Sequence, residues 1–284
     1  MNKPGGKMIS NSKKQIITYL ILVALFSTIV YALFLNGVLQ SNFYLFIMWS
    51  PGFSAIITKL VFQKNLRNIG WGLGKTKYQI FSYFFPLFLG AVVYGIVWLI
   101  GLGGMSIEKF TTEVGQFFGM SETPSFIISF LLLAVVVFPN ALVGAIGEEI
   151  GWRGLLVPEL SKLTSFTKLS LFSGIIWAAW HVPGIIAMGY TSGISPWFTI
   201  PCFAVMVISA SFVFAWIRLK SGSVWTAVIL HATHNLFIQN FYDTLTIDTG
   251  STLYFTTEFG IGMALIYSVA AYYFWRRRDE VEVK

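Results

Sequence analysis

The sequence predicts an all-α integral membrane protein, a bundle of about eight transmembrane helices. Apolar residues make up 56% of the 284 residues and charged residues only 11%, whereas soluble domains carry roughly 25% charged residues. Mean hydropathy is +0.72. The apolar residues are grouped in runs of about 20, the length that a helix needs to cross the hydrocarbon layer. Helices are expected because lipid leaves open backbone groups without partners.

Eight apolar runs define the predicted spans. They cover 16–39, 43–62, 79–101, 125–149, 169–188, 197–217, 223–241 and 257–275. No linker rich in Pro, Gly or Ser separates them, so residues 1–284 are interpreted as a single polytopic membrane domain. The first run follows several lysines, as in a signal peptide, but it is too long for that and is interpreted as the first transmembrane helix.

The distribution of charge predicts the topology. With the N-terminus inside, every one of the 19 Lys and Arg residues except Lys109 falls on or near the inner side, as the positive-inside rule requires. Acidic residues collect in the predicted outer loops: Glu108, Glu113, Glu122, Asp243, Asp248 and, at a helix mouth, Glu258. We therefore expect both termini on the cytoplasmic side of the membrane. The compact, lysine-rich chain suggests a bacterial protein, so this membrane is expected to be the bacterial plasma membrane.

Charge and cysteine content exclude other classes of partner and site. The net charge of +7 reflects topology and anionic headgroups, because the basic residues form no surface suited to nucleic acid. The only cysteine, Cys202, excludes an intramolecular disulfide and a thiolate metal cage.

Two adjacent carboxylates at the end of the fourth run are the first candidate site residues. Glu149 and Arg153 are spaced i, i+4 with the acid first, which favours an ion pair on one helix face. Glu148 points about 100° away, so it is free to face inward as a general base. The alternative is that both acids cap the inner helix end in headgroup water, although an acid there opposes the helix dipole.

Polar residues in the fifth and seventh runs complete the candidate set. Trp177 and His181 share one helix face, where the aromatic ring could orient the imidazole. His231 and Asn235 share another, with His234 at its edge. The His/Asn pair fits an oxyanion hole or a ligand set, and equally hydrogen bonds between helices. A carboxylate base, an imidazole and a donor pair are the parts that hydrolysis by activated water needs.

These motifs resemble a known family. Glu148-Glu149 with Arg153 fits the pattern EExxxR, Trp177 to His181 fits aromatic-xxx-His, and His231 to Asn235 fits His-xxx-Asn. Their order is similar to that in the CPBP family, also called Abi or CAAX-protease-like intramembrane proteases. The resemblance covers approximately residues 125–241. The aromatic residue is Trp, as in many bacterial members, where eukaryotic CAAX endopeptidases usually carry Phe.

The resemblance implies hydrolysis of a peptide bond inside a membrane cavity that opens toward the cytosol. Glu148 would activate water together with His181, and His231 with Asn235 would stabilise the oxyanion. Glu149 and Arg153 would support this site.

The resemblance leaves the cofactor open. Members are often labelled metalloproteases, yet a metal-free glutamate mechanism is also proposed for them. Glu148, His181 and His231 could ligate a divalent metal such as zinc, but the chain contains no HExxH motif that would demand one.

The substrate is expected to be a peptide or a membrane protein, next to the lipid bilayer and without nucleic acid. The eukaryotic branch trims prenylated CAAX tails, whereas bacterial members are associated with bacteriocin self-immunity or peptide processing. Two alternatives remain open: a non-catalytic bacteriocin-immunity or scaffold protein, and a transporter with a buried Glu/His relay. The oligomeric state is left open.

Overall fold

The computed structural model describes residues 4–39 and 43–281, and within them helices dominate. Every predicted run contains a helix. The bounds are α1 Pro4–Leu35, α2 Phe43–Gln63, α3 Thr76–Leu99, α4 Ile107–Phe117, α5 Phe126–Ser161, α6 Phe166–Ala187, α7 Pro196–Ser221, α8 Val224–His234 and α9 Ile261–Arg276. The prediction of an all-α membrane protein is confirmed. Lys3 and Lys284, which contribute to the predicted charge bias, lie outside the described residues.

The chain is a multi-pass membrane protein. In the described part, six helices are long and apolar enough to cross a membrane, namely α1, α2, α3, α5, α6 and α7. The other two predicted spans are occupied by shorter α-helices. α8 has 11 residues and is continued by a π-helix, Asn235–Tyr242, and a short turn, Asp243–Leu245, while α9 has 16 residues. α8 packs between α3 and α5, and α9 packs against α7.

The fourth predicted span differs from the structure at its inner end. The run was expected to end at residue 149, but α5 continues to Ser161. It contains two π-helical stretches, Leu132–Val137 before the two carboxylates and Trp152–Leu156 after them. Residues 147–157 are all buried, because other helices surround this part of α5. Glu148 and Glu149 therefore lie inside a continuous helix. The alternative that they cap a helix end in headgroup water is wrong.

Small residues allow α2 to approach α5 at the carboxylates. A Cβ added at Gly147 would lie 2.8 Å from the carbonyl oxygen of Met48, and one at Gly151 would lie 2.8 Å from that of Pro51. Gly147 and Gly151 form the small-xxx-small spacing found where membrane helices pack backbone to backbone. This contact fixes the segment that carries Glu148 and Glu149.

Arg218, near the end of α7, forms a hydrogen bond to the backbone of the π-helical turn in α5. Its Nε donates to the carbonyl oxygen of Arg153 at 2.8 Å, and one terminal nitrogen donates to that of Ile69 at 3.0 Å. A π-helical turn interrupts the regular backbone ladder, so a side-chain donor supplies a partner to a buried carbonyl. α5, α7 and the 3-10 turn Arg67–Ile69 are joined at this point.

The loops on the predicted outer side also meet. The strands β1 Gly104–Met105 and β2 Thr246–Ile247 pair antiparallel. Lys109 in α4, the basic residue that departs from the charge bias, donates to the carbonyl oxygen of Thr246 at 2.9 Å and lies 3.9 Å from the Glu113 carboxylate. Lys109 thus has local partners, while the topology with both termini inside stays a prediction.

Candidate functional site

A cavity of about 390 Å³ brings the predicted residues together. Glu148, Trp177, His181, His231 and Asn235 all line it, although they come from α5, α6 and the α8 segment. Glu149 and Arg153 are buried beside it, and both reach its wall through contacts with His231 and Trp177. The structure therefore places the predicted residues in or against one chamber, while their chemical roles stay a prediction.

Glu148 is held by two indole groups. Its side chain is buried, and Oε2 accepts hydrogen bonds from Trp177 Nε1 at 2.8 Å and from Trp152 Nε1 at 3.2 Å. Both donors are neutral and both bind the same oxygen. In the described part of the chain no donor binds Oε1 of Glu148, so this oxygen can accept a water molecule from the cavity.

Glu149 has charged surroundings instead. Its Oε1 lies 3.0 Å from a terminal nitrogen of Arg153 and 2.9 Å from Nδ1 of His231. The guanidinium also packs 4.1 Å from the Trp177 ring and 4.3 Å from the Phe214 ring, a favourable cation–π arrangement. Because Nδ1 of His231 donates to the carboxylate, its Nε2 is left for the cavity.

His181 is oriented by the backbone. Its Nδ1 lies 2.8 Å from the carbonyl oxygen of Trp177, which can only accept, so the neutral ring carries its proton on Nδ1. Nε2 then bears a lone pair. The rings of Trp180 and Phe203 pack at 4.8 and 4.9 Å between centroids. The imidazole is therefore fixed mainly by the Trp177 carbonyl, not by the Trp177 ring that the sequence suggested.

The helix geometry changes at Asn235. α8 ends at His234 and the π-helix begins at Asn235. His231, His234 and Asn235 are spaced i, i+3 and i+4, and all three line the cavity. Asn235 is half-buried, and His234 Nδ1 lies 2.9 Å from the Tyr267 hydroxyl. His234, expected at the edge of the face, therefore lines the chamber as well.

Sequence reasoning missed several residues in or beside this chamber. Trp152 was not recognised as a donor to Glu148. Glu258 was placed at an outer helix mouth, yet it is buried and accepts hydrogen bonds from the Tyr190 hydroxyl and from Gln239 Nε2. An acid just inside the eighth predicted span was the available signal for Glu258. Tyr190 gave none, because it lies in the loop after α6, and Gln239 was a polar residue inside the seventh predicted span that was not recognised.

The metal candidates do not form a ligand cluster. Within the described residues, no three His, Cys, Asp or Glu side chains converge as ligands of one ion. A catalytic zinc needs about three protein ligands around one point. Glu148, His181 and His231 therefore do not fit a zinc site, and no reaction step is assigned to a metal.

Two comparisons with known proteins agree with the motifs. Residues 128–237 match the family model described as type II CAAX prenyl endopeptidase Rce1-like. The CAAX prenyl protease 2 of Methanococcus maripaludis is 30% identical over 174 residues, which are 58% of this chain and 59% of that protein. The resemblance to the CAAX-protease-like family is confirmed over this region, which contains every predicted site residue. The chain spans about 59% of the length of this curated relative.

Proposed function

We propose that the chain is an intramembrane endopeptidase that hydrolyses a peptide bond of a peptide or membrane-protein substrate. One observation carries the proposal: the buried Glu148 carboxylate is fixed by two indole N–H groups in a chamber that also holds His181 and His231. A fixed carboxylate beside imidazole groups suits general base catalysis. The similarity to CAAX prenyl endopeptidases supports the same class of reaction.

The proposed attack begins with a water molecule between Glu148 and His181. Oε1 of Glu148 lacks a protein donor in the described structure, and His181 Nε2 bears a lone pair, so both can accept from water. Glu148 takes one proton while the water oxygen bonds to the scissile carbonyl carbon. Collapse of the tetrahedral intermediate breaks the C–N bond, and the proton passes to the leaving amine.

His231 and Asn235 are proposed to stabilise the oxyanion. Asn235 lines the chamber and offers an amide N–H group. His231 already donates from Nδ1 to Glu149, so it donates from Nε2 only when both ring nitrogens are protonated. The Glu149 carboxylate at 2.9 Å stabilises that cationic ring, and Arg153 keeps the carboxylate in place. This is the supporting role proposed for Glu149 and Arg153.

Comparison of membrane proteomes tests this function. Membranes of cells that produce the wild-type protein should contain a new peptide terminus that is absent when Glu148→Gln replaces it at equal abundance. Glu113→Gln is the matched control, since Glu113 is exposed on α4 and its loss should leave the new terminus present. If Glu148→Gln yields the same termini as the wild type, Glu148 is not the base of a protease.

A cell phenotype retained in both Glu148→Ala and His181→Ala would favour the non-catalytic immunity or scaffold role.

A further inference from the structure

A second polar cluster, Glu258 with Tyr190, Gln239 and His234, lies in the same chamber. Glu258 precedes α9 and is 5% exposed. Its Oε1 accepts from the Tyr190 hydroxyl and, at 3.1 Å, from Gln239 Nε2. Tyr190, Gln239 and Glu258 also line a neighbouring cavity of about 450 Å³ with a more polar wall. Glu258 therefore stands where the two cavities meet.

The charges around Glu258 are unbalanced. Two carboxylates, Glu148 and Glu258, line the catalytic chamber, and no Lys or Arg side chain among the described residues does so. The neighbouring cavity adds Asp243 and Asp248, and its basic residue, Lys109, donates to backbone carbonyls. An enclosed carboxylate without a cation is costly, so the chamber favours a positively charged ligand.

His234 supplies an independent indication of a missing ligand group. It is 6% exposed, and its Nε2 has no hydrogen-bond partner in the described structure. The Tyr267 hydroxyl has no other acceptor there and so donates to Nδ1, which leaves the proton on Nε2. Glu258 Oε2 lies 3.7 Å from this nitrogen, within ion-pair distance but too far for a hydrogen bond. His234 Nε2 is thus a free donor beside the free acceptor Glu258 Oε2, and a peptide can supply both partners, a cation for Glu258 and a backbone carbonyl for His234.

We propose that Glu258 binds a basic side chain, Lys or Arg, of the substrate, which rests on the proposed function in that the ligand is a peptide. Oε2 of Glu258 is the free acceptor, and Tyr190 and Gln239 hold the carboxylate toward the chamber. The Tyr190 ring stacks on His181 with centroids 6.3 Å apart, so the basic residue binds one ring away from the proposed reaction centre. Apolar neighbours such as Phe203 and Met206 suit the methylene stem of a lysine.

Peptide binding to the Glu148→Gln protein tests this inference without cleavage. The probes are apolar nonapeptides in which one lysine is moved through the sequence, each with a norleucine twin. At one lysine position or more, the lysine peptide should bind at least about tenfold more tightly than its twin. Adding Glu258→Gln should bring that ratio to about one, whereas adding Glu113→Gln should leave it unchanged. Glu258→Lys should instead favour peptides that carry glutamate at the same position.

The outcomes separate this inference from the proposed function. If no position shows a lysine preference, or if the preference persists in Glu258→Gln, Glu258 does not bind a basic side chain. If Glu258→Gln fails to fold, the absence of any lysine preference before that substitution still contradicts the inference, and Glu258→Lys still tests whether the preference depends on Glu258. Cleavage of the same peptides by the wild-type protein is measured separately. A lysine preference that depends on Glu258, without any cleavage, would overturn the protease function and leave the binding site standing.

Discussion

Glu148 and Glu149 are neighbours in sequence but have different electrostatic surroundings. Glu148 accepts from two neutral indoles, whereas Glu149 lies between Arg153 and His231. Adjacent residues of a helix point in different directions, so Glu148 faces the cavity and Glu149 faces the Arg153 guanidinium. This separation is why we propose reactivity for Glu148 and structural support for Glu149.

Removing the charge of Glu149 should therefore destabilise the protein. Glu149→Gln leaves Arg153, which is 1% exposed, without its anion, and breaking a buried ion pair costs about 3–5 kcal/mol. We expect a clear fall in the Tm of the purified protein in detergent. Glu148→Gln, which breaks no direct ion pair, should lower the Tm much less. Equal falls in the two variants would contradict this division of roles.

The indole of Trp177 should matter for rate. Trp177→Phe removes the N–H that donates to Glu148 at 2.8 Å while keeping an aromatic ring against Arg153. A hydrogen bond to a charged group contributes about 1.5–3 kcal/mol, so we expect kcat/KM to fall about 10- to 100-fold. Trp216→Phe is the control, because the Trp216 indole donates to the carbonyl of Arg277, away from the chamber. If the Trp177→Phe variant keeps the wild-type kcat/KM, the hydrogen bond from the indole to Glu148 does not contribute to catalysis.

At the scale of helices, the position of Glu148 depends on the contact between α2 and α5. Gly52 of α2 also faces Gly147 of α5, where an added Cβ would lie 2.5 Å from the Gly147 carbonyl oxygen. Backbone atoms at such distances cannot move aside without shifting the helices. The contact thus links the packing of the bundle to the geometry of the site.

Gly147→Ala should lower stability and activity together. Its Cβ would meet backbone atoms of Met48 and Trp49 at 2.8–2.9 Å, so α2 must move away from the segment that carries Glu148. The matched control is Gly144→Ala, one turn earlier, whose Cβ would meet only the flexible end of the Met48 side chain. Thermal unfolding and peptide cleavage measure the two effects. If both variants behave alike, the close approach at Gly147 does not position the carboxylate.

Helices and local pairs were predictable from sequence, whereas contacts between helices were not. Run lengths located the helices, and the i, i+4 spacing indicated the pair of Glu149 with Arg153. The continuation of α5 past residue 149 depends on burial by other helices, which hydropathy does not report. The hydrogen bond from Trp177 to Glu148 and the position of Glu258 in the chamber wall both depend on contacts between distant parts of the chain. No local pattern encodes them.

At the scale of the whole molecule, the topology remains to be tested. In a Cys202→Ala background, single cysteines at Glu113 and Lys64, both exposed, mark the two predicted sides. A membrane-impermeant maleimide added to intact cells should label Glu113→Cys and not Lys64→Cys, and cell lysis should make Lys64→Cys reactive. Labelling of Lys64→Cys in intact cells would reverse the predicted orientation.

The most direct test of the central claim, that Glu148 activates water for peptide hydrolysis, is the cleavage rate of purified protein in liposomes. Internally quenched peptides report the rate for the wild type, Glu148→Gln and the exposed control Glu113→Gln. Loss of a general base typically lowers the rate about 10²- to 10⁴-fold, so Glu148→Gln should lose at least about 100-fold in kcat while peptide binding and Tm stay near wild type. Cleavage by Glu148→Gln at the wild-type rate would contradict the account.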